Sequence, residues 1–270
     1  VKLSLVVVKD DKPEAERHPE LHTLDEKLYN SPAMALSVTM KAVAAAGRLA
    51  HLNFERGCQV LAKYDPVLAA EIDKDEDCID QFTDNSDRFL IGLSKVVETE
   101  ADDRQLDMLM QTVPNFERIG DYATNMVELA QRLQSENAAF SDMAKKELAL
   151  ITQAVNEILE ITVDAFSKDD NEAAKAIEPL EETIDDMIMM LKDRHTKRLK
   201  NGQCSIASGL VFMEALTYFE RASDQCSSIA VMMLARHNEQ ILQNHYEYLR
   251  EIHAGNDVAF LAEKPLMQIF

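Results

Sequence analysis

The sequence predicts an all-α chain made of two sets of three long helices. Only 7 Gly and 7 Pro interrupt 270 residues, and long stretches hold neither breaker. Apolar residues recur with a 3.6-residue period through every long segment, which is the mark of helices with one buried face. Two short strings also recur in the two halves of the chain. "FERIGD" (Phe116 to Asp121) and "FERASD" (Phe219 to Asp224) agree at four of six positions, and the segments before them align as well.

The elements run in order along the chain. After an irregular start through "KDDKPEAERHPELH", a first helix is expected over 32–62, ended by "KYDP". A second is expected over 67–97, and "ETEADD" then gives a polar break leading into a third over 104–134. "SENAAFSD" separates the halves, with Ser141 placed to cap a fourth helix over 143–166. A fifth is expected over 171–200 and, after "NGQCS", a sixth over 205–242. The expected organisation is a leader (1–30), a first repeat (31–136), a second repeat (137–254) and a tail (255–270) in which "FLAEKPLMQIF" is apolar enough to dock.

Composition removes several classes of function. A net charge of −20 repels nucleic acid and suits cations or a basic partner. No uninterrupted apolar run approaches the ~18 residues that span a membrane, and "LSLVVV" near the start is too short. The four cysteines (Cys58, Cys78, Cys204, Cys226) show no CxxC spacing and read as free thiols in a reducing compartment. There is no Gly-rich phosphate loop, nucleophile elbow or Ser-His-Asp arrangement, so an enzyme is not expected. His51, His195 and His237 lack the Glu-x-x-His pairing of ferritin-like di-iron sites.

The chemistry lies in carboxylates. In "NFERIGDYATN", Glu117 and Asp121 stack one turn apart beside an apolar row formed by Phe116, Ile119, Ala123 and Met126. Glu220 and Asp224 repeat the pair in the second half. On the preceding helices "IDKDEDCID" aligns with "IEPLEETID", so Glu76 and Asp80 match Glu181 and Asp185. Chance alone gives roughly eight acidic pairs at this spacing in so acidic a chain, so one pair means little. Recurrence in register, next to buried rows, means more. Carboxylates withdrawn from water need a cation, and two facing rows would offer hard oxygen ligands suited to Fe, Mn, Mg, Ca or Zn. The alternative is a salt-bridged or solvated helix face. Arg118 and Arg221 adjoin the glutamates in sequence but point about 100° away on a helix.

"FERIGDYATNM" and its repeat resemble the signature of PhoU domains, over roughly residues 32–253. The resemblance implies two consecutive antiparallel three-helix bundles, set end to end and related by a pseudo-twofold, with clusters of iron or zinc held by paired acidic motifs. Carried over, it assigns Glu76, Asp80, Glu117 and Asp121 to one site and Glu181, Asp185, Glu220 and Asp224 to the other. Asn125 and Ser228 are secondary candidates beside the sites. The second copy departs from the pattern, because Gly120 becomes Ser223 and Asn125 becomes Ser228.

"PELHTLDEKLYNSPAMAL" (Pro19 to Leu36) and "HYEYLREIHAGND" (His245 to Asp257) resemble the flanks of the PhoU-like domain in sodium/phosphate cotransporters. That resemblance implies a cytoplasmic regulatory domain excised from a membrane protein, with the transporter's membrane-embedded half as partner, and a homodimer. A free-standing PhoU-type adaptor is the second reading, and a carboxylate-bridged metalloenzyme the third. Two features stay outside these. The methionines (Met187, Met189, Met190, Met213, Met232, Met233) read as core packing. "KDRHTKRLK", the one basic run, reads as decoration of a helix C-terminus or as a contact for anionic lipid or phosphate.

Overall fold

Seven α-helices and two 3₁₀ turns make up the computed structural model, which describes residues 18–238, and no strand occurs among them. The helices are α1 (Pro32–Ala62), α2 (Pro66–Leu93), α3 (Glu100–Ser135), α4 (Asp142–Lys168), α5 (Asn171–Lys175), α6 (Ile177–Lys200) and α7 (Ile206–Ala235). Side chains that satisfy the first backbone N–H groups fix most of the starts. Asp65 accepts from Val67 N at 2.9 Å, Thr99 from Asp102 N at 3.1 Å, and Ser205 from Ser208 N at 3.1 Å. Ser141 caps α4 as expected, accepting from Ala144 N at 3.3 Å.

Four boundaries differ from the sequence expectation, the first being the end of the second helix, at Leu93 rather than 97. The third helix starts at Glu100 because Glu100, Asp102 and Asp103 suit the positive end of the helix dipole. The expected helix over 171–200 is two, α5 and α6, parted at Ala176. Pro179 lacks the N–H that would bond Lys175, and its ring would strike that carbonyl in a continuous helix. The last helix ends at Ala235 rather than running on to 242, and 239–242 lie outside the described residues. So do residues 1–17 of the leader and the whole tail, including "FLAEKPLMQIF".

The two halves lie side by side rather than end to end. Along α3 and α7, Met108 meets Arg236 at 4.0 Å, Tyr122 stacks on Tyr218 at 6.0 Å, and Arg132 grips Glu214 at 2.8 Å. As numbers rise on one helix they fall on the other, so these equivalent helices are antiparallel. α1 and α4 are paired the same way, with Arg48 reaching Ser167 and Cys58 bonding Thr152. Antiparallel pairing of equivalent helices is what a pseudo-twofold between the repeats requires. One apolar core runs through both halves, closed by edge-to-face contacts of Phe54 with Phe219 at 5.8 Å and Phe116 with Phe166 at 5.6 Å.

α1 occupies the middle of that core. It is the one described helix long and apolar enough to cross a membrane, with mean hydropathy 1.2 over its best window, yet 61% of that window is buried in the protein. The core explains a composition that the search for uninterrupted apolar runs passed over. The methionine expectation holds in part: Met187 and Met233 are buried and Met232 packs against the core, Met190 and Met213 are half-buried, and Met189 is 64% exposed. The four cysteines are free, and all but Cys204 are buried. Residues ahead of α1 form two short turns, Pro19–His22 and Glu26–Asn30, that pack on α1 and α2. The Tyr29 hydroxyl donates to the Phe89 carbonyl at 3.1 Å, and Leu21 is buried.

Close approach of α1 to α3 depends on Gly57. A Cβ there would stand 2.9 Å from the Ala123 Cα, a backbone atom that cannot turn aside. Gly57→Ala is therefore expected to destabilise the fold by ~1–3 kcal/mol through overpacking. Urea unfolding followed by circular dichroism measures this, and a variant as stable as the parent would show that α1 and α3 can part freely.

Candidate metal centres

α2 and α3 bring the first carboxylates together. Ile79 packs over Gly120, where a Cβ would stand 3.1 Å from its Cδ1, so the helices meet closely between the two acidic rows. Glu76 and Asp80 from α2 and Asp121 from α3 then place one carboxylate oxygen each within 4.8 Å of the others. α6 and α7 do the same in the second half with Glu181, Asp185 and Asp224. Both clusters sit at matching positions, which the duplication anticipated.

Each expected quartet is met as a triad with an outlying fourth member. Glu117 stands outside the tight cluster yet within its field, because Asp121, Asp80 and Asp87 raise its carboxyl after burial has done so. Glu220 is drawn away by an ion pair with Lys192. Asn125 and Ser228, each one turn beyond the triad aspartate, are half-buried.

The electrostatics derive from partial burial and like charge. Burial, then Asp80 and Asp121, pushes the Glu76 carboxyl up to about 7. Asp80 and Asp121 rise too, burial first and neighbouring aspartates second. In the second half, burial followed by Asp185 and Glu178 pushes Glu181 up to about 9, and a side-chain hydrogen bond with Asp224 adds to the rise. Asp185 is raised to about 6 by burial, then Asp224 and Glu220, while Lys192 opposes the rise.

Three groups escaped the sequence reading. Glu178 is buried in the first turn of α6, bonded by the Ser227 hydroxyl at 2.5 Å, and adds its charge behind Glu181. Its position three residues before Glu181 puts it on the same helix face, a signal present in "IEPLEE". Lys192 lies seven residues after Asp185, and the equivalent place after Asp80 holds Asp87. The two centres are thus unlike. The second contains an ammonium group and the more strongly raised carboxyl, and the first has Asp87 where the second has Lys192.

The donor set fits a hard or borderline cation, since three carboxylates converge on one point from two helices in each half. In the first centre Arg118 softens the rise at Glu117 and Asp121 without displacing burial as its chief cause.

Fold and sites together define a class: helical proteins made of two fused three-helix repeats, each carrying a carboxylate cluster on the seam of its second and third long helices. The chain belongs to the PhoU domain family, whose model matches residues 43–130 and 148–233, one triad in each match. It is similar to the phosphate-specific transport system accessory protein PhoU homolog of Aquifex aeolicus, with 25% identity over 58% of this chain and 70% of that protein. The PhoU homolog 1 of Thermotoga maritima is 22% identical over 88% of both chains. Crystal structures of PhoU from Streptococcus pneumoniae and Pseudomonas aeruginosa superpose with TM-scores of 0.70 and 0.68, at 19% and 22% identity, over 77% of this chain and 98% of each of theirs.

The raised carboxyls set a pH dependence. A group whose folded value is above its unfolded one stabilises fully below the unfolded value and loses that contribution as pH rises through the folded one. For Glu76 and Glu181 the ordinary value is 4.5 and the folded ones are about 7 and about 9. Protein held in chelator is therefore expected to melt lower as pH rises from 4.5 to 9, at roughly 2–4 °C for each kcal/mol lost. A divalent transition metal should restore more of the melting temperature at the alkaline end. Calorimetry with and without metal tests this, and a flat profile in chelator would refute the crowding.

Proposed function

We propose that the chain is a non-enzymatic, PhoU-type regulator of phosphate transport that works through protein contacts and carries metal in its paired carboxylate clusters. The observation that bears most weight is the convergence of Glu76, Asp80 and Asp121, matched in register by Glu181, Asp185 and Asp224, in a chain of the PhoU family. Iron or zinc is the favoured occupant, with Mn, Mg or Ca open to the same oxygen ligands. The first centre binds more firmly than the second, where Lys192 already offsets charge.

The similar proteins are described as accessory proteins of a phosphate-specific transport system, which supports a free-standing cytoplasmic adaptor. The alternative is the cytoplasmic domain of a sodium-dependent cotransporter, joined to a membrane-embedded half and dimeric through it. The segment that suggested this, Pro19 to Leu36, is seated on α1 and α2 through Leu21 and Tyr29. The coding sequence upstream of Val1 separates the two readings, since only the second needs several membrane spans there.

Elemental analysis of protein purified without chelator tests the metal, and phosphate uptake in a bacterium lacking its own PhoU tests the regulation. Asp80→Asn with Asp121→Asn keeps the shape and removes two charges. It is expected to lose metal from the first centre while staying folded, and to fail to return uptake towards the level of cells with their own PhoU, as the parent chain does. Equal metal in parent and variant would remove the first centre from the proposal. Uptake indifferent to the parent chain would remove the regulatory role.

A further inference from the structure

We propose that the tip of the α6–α7 hairpin is a membrane-contact surface that seats this end of the protein on an anionic bilayer. The inference is independent of the metal centres. Residues 194–213 contain four cationic side chains and no acidic one, in a chain whose net charge is −20. Arg194, Lys197 and Lys200 are exposed, whereas Arg198 turns inward to Glu147 at 2.8 Å and lies over the Phe212 ring. Cations at the C-terminus of α6 complement its dipole, which accounts for their presence but for nothing beyond the helix end.

The apolar side chains beside them have no such explanation. Ile206 and Leu210, one turn apart at the start of α7, are 76% and 57% exposed. They share one face of the helix. Met143, 56% exposed at the start of α4, joins Arg194, Lys197 and Gln203 in lining an open cavity against the hairpin. Large apolar groups bordered by exposed cations are the composition of interfacial lipid contacts, in which the cations meet headgroups and the apolar groups enter the acyl boundary.

The acidic bulk of the protein does not cancel this. Glu220 and Asp224 lie about 21 and 27 Å along α7 from Ile206 at 1.5 Å per residue. Those spans exceed the screening length of about 8 Å at physiological salt. The nearer acids are engaged locally, Asp142 beside Met143 with Lys145 at 3.9 Å, Asp193 with Lys197 at 2.6 Å, Glu147 with Arg198, and Glu214 with Arg132, which leaves Arg194 and Lys200 as the exposed cations outside these pairs.

Cosedimentation of the full chain with lipid vesicles tests the proposal. The chain is expected to pellet with vesicles of equal phosphatidylcholine and phosphatidylglycerol, to remain in solution with phosphatidylcholine alone, and to be released by high salt. Lys197→Gln with Lys200→Gln should weaken partitioning about tenfold or more. Ile206→Ser with Leu210→Ser should weaken it comparably, with the helical spectrum and melting temperature unchanged because both side chains face solvent. Met34→Ser, an equally exposed apolar residue at the far end on α1, is the control and should bind like the parent. Absence of binding, equal binding to both vesicles, or full binding by either hairpin variant would overturn the proposal. Equal loss in the Met34 control would mark non-specific adhesion, and release by millimolar inorganic phosphate at constant ionic strength would mark a soluble-anion site; either result overturns it too.

Discussion

Three carboxylates whose oxygens lie within 4.8 Å of one another, with Glu76 and Asp121 half-buried in one cluster and Glu181 buried in the other, raise one another's affinity for protons. The rest of the structure serves to hold them there regardless. Mutual repulsion would part α2 from α3 if the helices were joined only by short turns. They are kept together by burial of Ile72, Ile79 and Phe82 on one side and Phe116, Ile119 and Ala123 on the other. The hydrophobic effect supplies the closing force, and the acids store the opposing one as raised proton affinity. A bound cation, a proton or a neighbouring ammonium group can each relieve the conflict, and the two halves draw on these remedies differently.

The core that opposes repulsion is shared. Phe54 meets Phe219 and Phe116 meets Phe166, so each half completes the other's packing. Arg132 and Glu214 make a two-pronged ion pair across the same seam, where Tyr122 lies on Tyr218. The seams that carry acids and the seam that joins the halves thus use the same two helices, α3 and α7.

Much of this was legible in the sequence, and the residues show why some was not. Helical periodicity placed six long segments, because a 3.6-residue apolar row survives any arrangement of neighbours. The break at Ala176 was missed although Pro179 announced it. The antiparallel, side-by-side packing was out of reach, since no local pattern records which face of α3 meets α7. At the centres, Glu117 and Asp121 look alike in the sequence, yet only Asp121 joins the triad. Which member of an i,i+4 pair faces the neighbouring helix depends on where the two axes cross. Lys192 could have been found by counting on from Asp185, but its partner Glu220 lies on a different helix and no spacing links them.

The contrast between Lys192 and Asp87 gives a meaning to carrying both repeats on one chain. A symmetric dimer of a single three-helix unit would repeat every side chain, so any change at one centre would be imposed on the other. A lysine that tempers one cluster would temper both, and no grading between strong and weak cation affinity could arise. Fusion removes that constraint while leaving the shared geometry in place. One half can then keep an uncompensated cluster of acids, and the other can offset part of its charge with its own lysine, a division inside a single nearly symmetric body.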